Sequence, residues 1–286
     1  MMARVSSSPA APNKPVITLW PNAAPGALGT TSADMPSMTA YMPDPASATG
    51  TGIVICGGGG YDKIEVDKES EPAAEFFTKV GVTAFVLRYR LTPAYRYPVM
   101  IWDAQRAIKY LRGNASQYGL KPNQIGIMGF SAGGHLASTI AVHSASDFGN
   151  SPADDVDKLS ARPDLQILIY PVIMMSGNFV AKNSHLHLLG DAADPKLEDY
   201  LSNEKHVTAN APPAFVVSTF ADIVAPCENS LSYFSALRAA GVASELHIFQ
   251  DGAHGAGLAP DDPSEGSWPD LLEKWMRENQ LLGTKA

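Results

Sequence analysis

A chain of 286 residues with 45% hydrophobic and 17% charged residues has an ordinary globular composition, which excludes intrinsic disorder and leaves ample material for a core. A net charge of -8, a pI near 5.3 and the lack of any Lys or Arg run argue against nucleic acid as a partner. No run of 18 apolar residues occurs, so no membrane span is expected, and Met1 to Pro15 has no apolar stretch of signal-peptide length. The chain therefore reads as soluble, with a flexible leader over 1–15 and a single domain over 16–286. Secretion or a periplasmic location stays open, because a removed signal peptide leaves no trace.

Val16 to Trp20 and Met38 to Met42 are short strand candidates, each ended by proline. Gly52 to Cys56 is a short apolar run of the kind buried on both faces of a parallel sheet, and it runs into Gly57-Gly58-Gly59-Gly60-Tyr61. Glu71 to Val80 carries Ala74, Phe76, Phe77 and Val80 at helical spacing and stops at Gly81. Val82 to Leu87 reads as a strand, 88–98 as a loop rich in Pro and Tyr, and Trp102 to Tyr118 as a long amphipathic helix. Ile125 begins another apolar strand, and Leu136 to Val142 has a helical composition. Residues 144–164 read as a surface excursion. Leu165 to Tyr170 returns to the sheet, and 172–213 is irregular, with one short helix near Pro195 to Ser202. Ala214 to Thr219, Asn229 to Ala240, Glu245 to Phe249 and Pro269 to Gln280 complete an alternation of strands and helices. That alternation implies an α/β fold: a mostly parallel central sheet of about eight strands, helices on both faces and no large cap domain.

Between the strand at Ile125 and the following helix stands Gly129-Phe130-Ser131-Ala132-Gly133. A serine on a sharp strand-to-helix turn lifts its hydroxyl out of the sheet, flanking glycines let strand and helix pass closely, and the next N–H opens a helix where an oxyanion can be received. A serine hydroxyl needs a base and a carboxylate to orient that base. In a parallel sheet these come from loops after later strands: Asp222 follows the strand ending at Thr219, and His254 follows the strand ending at Phe249. The order Ser131, Asp222, His254 is that of an α/β-hydrolase. Asp251 is the rival acid, but it shares the loop of His254 and suits a turn with Gly252. His135 is expected to pack under the sheet and His247 to be a strand-face residue. His185 and His187, two apart, could mark a metal on a strand, yet no third ligand is spaced to complete it, so no metal is expected. The Gly57 to Gly60 run matches no phosphate-binding pattern. It reads instead as the second arm of an oxyanion hole, with Gly59 and Gly60 as donors opposite Ala132. Cys56 and Cys227 are expected to be free thiols packed as small apolar groups.

These motifs together resemble the small bacterial carbohydrate-esterase branch of the α/β-hydrolases, described as acetyl-xylan or feruloyl esterase-like. That branch shows a strand ending in Cys-Pro-Gly-Gly-Gly-Tyr, then Gly-Phe-Ser-Ala-Gly-Gly-His-Leu-Ala, Ser-Asn-Glu-Lys, Asp-x-x-Val-Pro-x-Glu-Asn and Gly-x-His-Gly. Here the corresponding segments are Cys56 to Tyr61, Gly129 to Ala137, Ser202 to Lys205, Asp222 to Asn229 and Gly252 to Gly255. Gly57 stands where the branch carries Pro, which implies a more mobile oxyanion loop, and Ala225 stands where it carries Val. The resemblance implies hydrolysis of short-chain acyl or feruloyl esters of a carbohydrate, with no cofactor. A shallow pocket is expected from Tyr61, the Tyr95 to Trp102 region and the 172–212 loop, with Tyr61 and Trp102 stacking on substrate. Two other classes share the scaffold: a serine peptidase of the prolyl oligopeptidase type, which would need a large propeller, and a non-catalytic binding protein, which would need a damaged triad.

Overall fold

The computed structural model describes residues 14–151 and 154–283. The leader expected over 1–15 therefore lies outside the described residues except for its last two positions. Eight strands form one sheet in the order β1-β2-β4-β3-β5-β6-β7-β8. They are β1 (Val16–Thr18), β2 (Ser37–Tyr41), β3 (Gly52–Cys56), β4 (Thr83–Arg88), β5 (Ile125–Phe130), β6 (Gln166–Ile169), β7 (Ala214–Thr219) and β8 (Ser244–Phe249). From β4 to β8 every pairing is parallel, while β1 and β2 add an antiparallel edge.

Side-chain alternation along the parallel strands divides the core in two. Val54, Phe85, Leu87, Ile127, Leu168 and Val216 face a layer made by α2 (Val99–Gly113), α3 (Ser131–Val142) and α6 (Glu228–Ala239). Ile53, Ile55, Met128, Phe130, Ile167 and Val217 face α1 (Glu71–Lys79) and α7 (Trp268–Glu278), from which Phe77, Trp268 and Trp275 pack against them. Each such aliphatic side chain contributes about 1.5–3 kcal/mol by leaving water, so strands buried on both faces are well anchored.

The strand order positions the site. From β3 the chain moves one way to β4 through α1, then crosses back over β3 through α2 to β5, and continues outward to β8. Crossovers of one hand put α1 and α2 on opposite faces, so the loops leaving β3 and β5 diverge at their carboxyl ends and open a crevice between them. Those two loops carry Gly57 to Gly60 and Ser131.

Two local expectations need correction. The helix expected over 102–118 starts earlier, at Val99, and ends at Gly113, because the Gly113-Asn114 step breaks it and 115–118 form a separate 3-10 turn. The irregular 172–213 stretch contains, besides α5 (Pro195–Tyr200), a second helix α4 (Lys182–Leu189), whose apolar positions are too few to show a period. Residues 66–70 form one wide helical turn leading directly into α1. Among the described residues no helix is long and apolar enough to cross a membrane.

Candidate active site

Ser131 begins α3 with φ of +50°, a left-handed angle that a non-glycine residue adopts only where its surroundings enforce it. The enforcement is steric. A Cβ on Gly129 would lie 2.0 Å from the Gly133 carbonyl oxygen, and one on Gly133 would lie 2.1 Å from the Cys56 oxygen. Only glycines let β5, α3 and the end of β3 approach this closely. The Ser131 carbonyl accepts the Val172 N–H at 3.0 Å, which fixes the turn from behind.

An unbroken hydrogen-bonded line runs from this hydroxyl. Ser131 Oγ lies 2.7 Å from His254 Nε2, and His254 Nδ1 lies 2.6 Å from Asp222 Oδ2. The other carboxylate oxygen, Asp222 Oδ1, accepts the N–H groups of Val224 and Ala225 at 2.8 and 2.9 Å. With Asp222 acting only as acceptor, His254 carries its proton on Nδ1 and turns the lone pair of Nε2 to the serine. Asp222 is buried, while the imidazole keeps partial access to solvent. The rival Asp251 makes no such contact.

The loop after β3 is tied at several points. Gly57 offers its carbonyl to the Tyr89 hydroxyl at 2.7 Å, and a Cβ there would strike Ser70 Oγ at 2.5 Å. Gly58 donates its N–H to Glu69 Oε2 at 2.6 Å. These ties meet the freedom that glycine in place of proline would introduce. Gly59 and Gly60 follow with φ of +114° and +63°, and among the described residues neither N–H has an acceptor. The N–H of Ala132, in the first turn of α3, has no intrahelical acceptor either.

An open cleft of about 400 Å³ holds Ser131, His254, Gly59 and Gly60 together with Asp62, Lys63, Glu65, Lys68 and Glu69 from the segment after the glycines. Asn183, Ser184 and His187 of α4 form the opposite wall, and Val224 and Gly255 complete it. This lining corrects the expected one. Tyr61 is fully buried, with φ of +70° and its hydroxyl 2.7 Å from His135 Nδ1, so it presents no ring face to a substrate. Trp102 donates its indole N–H to the Phe148 carbonyl at 3.2 Å and lies outside the cleft lining.

The histidine pair also reads differently. His185 and His187 sit on a helix, and they face different partners: His185 Nε2 contacts Glu198 at 2.7 Å, and His187 Nδ1 donates to the Gly60 carbonyl at 2.8 Å. No group of three or more potential metal ligands occurs among the described residues. His135 is packed beneath the site as expected, with burial pushing its pKa down to about 4. Cys56 and Cys227 are both free and buried.

Sequence reasoning missed three groups. Glu69 lies buried under the glycine loop, where Tyr170 also donates to it at 3.0 Å, and burial raises its pKa. Glu265 lies beneath the His254 loop. A Cβ on Gly252 would fall 2.4 Å from Glu265 Oε2. His187 is the third. Each comes from a segment with no motif of its own, so only spatial convergence reveals them.

Known proteins match this arrangement. The BD-FAE family profile matches residues 38–237. An acetylxylan esterase of Xylanibacter ruminicola is 34% identical over 77% of this chain and 44% of its own length. Endo-1,4-beta-xylanase B of Butyrivibrio fibrisolvens is 37% identical over 73% of this chain and 33% of its own. The chain thus spans less than half the length of these two relatives. The crystal structure of an acetyl ester-xyloside bifunctional hydrolase from Caldicellulosiruptor lactoaceticus superposes with a TM-score of 0.87 at 38% identity, covering 96% of this chain and 100% of that one. On the extent of the profile match and this full-length structural likeness, the chain belongs to the BD-FAE family of α/β-hydrolases.

Proposed function

We propose that this chain is a serine carboxylic-ester hydrolase that removes short acyl groups, acetyl foremost, from a carbohydrate of the plant-polysaccharide type. The continuous line Ser131–His254–Asp222 carries the reading, since it supplies a nucleophile, a base and an orienting acid in hydrogen-bond contact. The names of the relatives, acetylxylan esterase and acetyl ester-xyloside hydrolase, support acetylated sugar as the substrate class. The cleft supports it as well: its walls of Asp62, Lys63, Asn183, Ser184 and His187 offer hydrogen bonds suited to hydroxyl groups, and few large apolar side chains for a long acyl chain.

In this mechanism His254 Nε2 takes the Ser131 proton as Oγ attacks the ester carbonyl, and the imidazolium is stabilised by Asp222. The oxyanion is received by the N–H groups of Gly59, Gly60 and Ala132, with the amino end of α3 adding its dipole. The tetrahedral intermediate expels the sugar alcohol, protonated by His254, and leaves acetyl on Ser131. Water, deprotonated by His254, then releases acetate and restores the serine.

Ser131→Ala is expected to lower kcat on p-nitrophenyl acetate by about a millionfold. Near-full activity in that variant would end the reading. On the wild type, acetyl esters are expected to be cleaved faster than longer acyl chains and acetylated xylan faster than methyl ferulate. Faster turnover of methyl ferulate would move the acyl specificity to phenolic acids.

A further inference from the structure

We propose that His187 is a positioning residue that holds the oxyanion turn against α4, acting through its Nδ1–H on the Gly60 carbonyl. The inference rests on the esterase reading above and adds to it a group outside the three-residue relay. Gly60 and Tyr61 are consecutive left-handed residues, with φ of +63° and +70°. Gly60 adopts such an angle freely, but Tyr61 carries a Cβ and does so at a cost, so the turn holds its shape only while its surroundings impose it. A closed ring of contacts imposes it. The Tyr61 carbonyl accepts the Thr92 N–H at 3.0 Å, Thr92 Oγ1 donates to the His187 carbonyl at 2.7 Å, and His187 Nδ1 returns to the Gly60 carbonyl at 2.8 Å. Arg96 braces the same end of α4 by donating to the His187 carbonyl at 2.7 Å.

The ring controls a specific degree of freedom. With the Gly60 and Tyr61 carbonyls held on the side of α4 and Thr92, the peptide planes on either side of Tyr61 are constrained. The plane that carries the Gly60 N–H is tied through the Gly59 carbonyl, which accepts the Asp62 and Lys63 N–H groups at 3.2 Å, so the His187 bond completes the hold on Gly60 from its carboxyl side. That N–H has no acceptor among the described residues and lines the cleft beside Ser131. Asp62 Oδ2 lies 4.0 Å from His187 Nδ1, beyond hydrogen-bond range. Hydrogen-bond donors for an oxyanion act by being oriented before charge develops, so loosening the turn lowers transition-state stabilisation more than substrate binding.

The test uses the full chain and p-nitrophenyl acetate, with thermal melting as the folding control. His187→Ala is expected to lower kcat about tenfold to a hundredfold while KM stays within about threefold. His187→Asn, whose amide N–H takes the place of Nδ1–H, is expected to recover most of the loss. His187→Gln, which places its amide where Nε2 stood, is expected to stay near the alanine value. Wild-type kcat in His187→Ala, or rescue by Gln equal to that by Asn, would overturn the proposal. Should the alanine variant fail to fold, the Asn and Gln pair decides alone: equal kcat in the two overturns it. Ser131→Ala separates this outcome from failure of the esterase reading, since that variant stays inert if only the role of His187 is wrong.

Discussion

Three buried carboxyl groups lie around the site, and each meets its burial differently. Asp222 is fully satisfied, with two backbone N–H groups on one oxygen and the imidazole on the other. Glu69 accepts from Gly58 and Tyr170, so its charged form is compensated although burial opposes it. Among the described residues Glu265 Oε1 has no hydrogen-bond partner, and burial, with the nearby Asp262 and Asp222, pushes its pKa up to about 7. A carboxyl whose pKa is higher in the folded than in the unfolded chain makes the folded state bind more protons between the two values, so stability falls as pH rises across that window. From its ordinary value of 4.5 to about 7, Glu265 is expected to drain stability progressively, with the loss complete above about 7. Glu265→Gln cannot ionise and should show a smaller drop in melting temperature between pH 5 and pH 8 than the wild type. An identical drop in both proteins would remove Glu265 as the cause.

At the scale of elements, the strand–turn–helix formed by β5 and α3 depends on what its glycines exclude. Gly133 faces the end of β3, where an added methyl would lie 2.1 Å from the Cys56 oxygen and 2.5 Å from the Gly57 oxygen. Both obstacles are backbone, which cannot swing aside as a side chain can. Gly133→Ala is therefore expected to cost about 3 kcal/mol or more and to shift the glycine loop together with Ser131. A urea midpoint equal to that of the wild type would show that α3 can move away from β3 at little cost. The element that carries His187 behaves oppositely: α4 has no tight glycine contact and is held by side-chain bonds from Thr92 and Arg96 to its last carbonyls.

For the whole molecule, the sheet order decides where the loops converge, and a buried ion pair ties the strand end to a helix layer. Arg90, on the loop leaving β4, makes a forked contact with Asp103 of α2, at 2.6 Å for Nη2 to Oδ1 and 3.0 Å for Nε to Oδ2, and both residues are buried. Arg90 also donates to the Pro25 carbonyl at 2.7 Å, which draws in the N-terminal segment. Asp103→Ala would leave the guanidinium buried without its counter-charge, at an expected cost of about 3–5 kcal/mol measured by denaturant unfolding. A loss under about 1 kcal/mol would mean that water reaches Arg90. One shared sheet with continuous core layers on both faces predicts a single cooperative unfolding transition for residues 16–286. Two separated transitions would divide the chain into independent domains.

Much of this was legible in the residues themselves. Strand alternation, glycines beside Ser131, and Asp222 and His254 at the ends of the last two parallel strands are local signals, because period, turn chemistry and chain order are written in consecutive positions. The helix holding His187 was not legible: its eight residues bury only Ser184 and Leu188 fully, too few to mark a face. Tyr61 looked like a stacking platform because its sequence neighbours are at the site, yet its left-handed backbone turns the ring inward onto His135. Sequence by itself determined the fold class and the three groups of the hydrogen-bonded relay, since each is announced by its own short motif. Only tertiary structure decided which side chains line the cleft and which carboxyl groups are buried beneath it, because those contacts join residues far apart along the chain, and their burial exists only once the sheet and helices have packed.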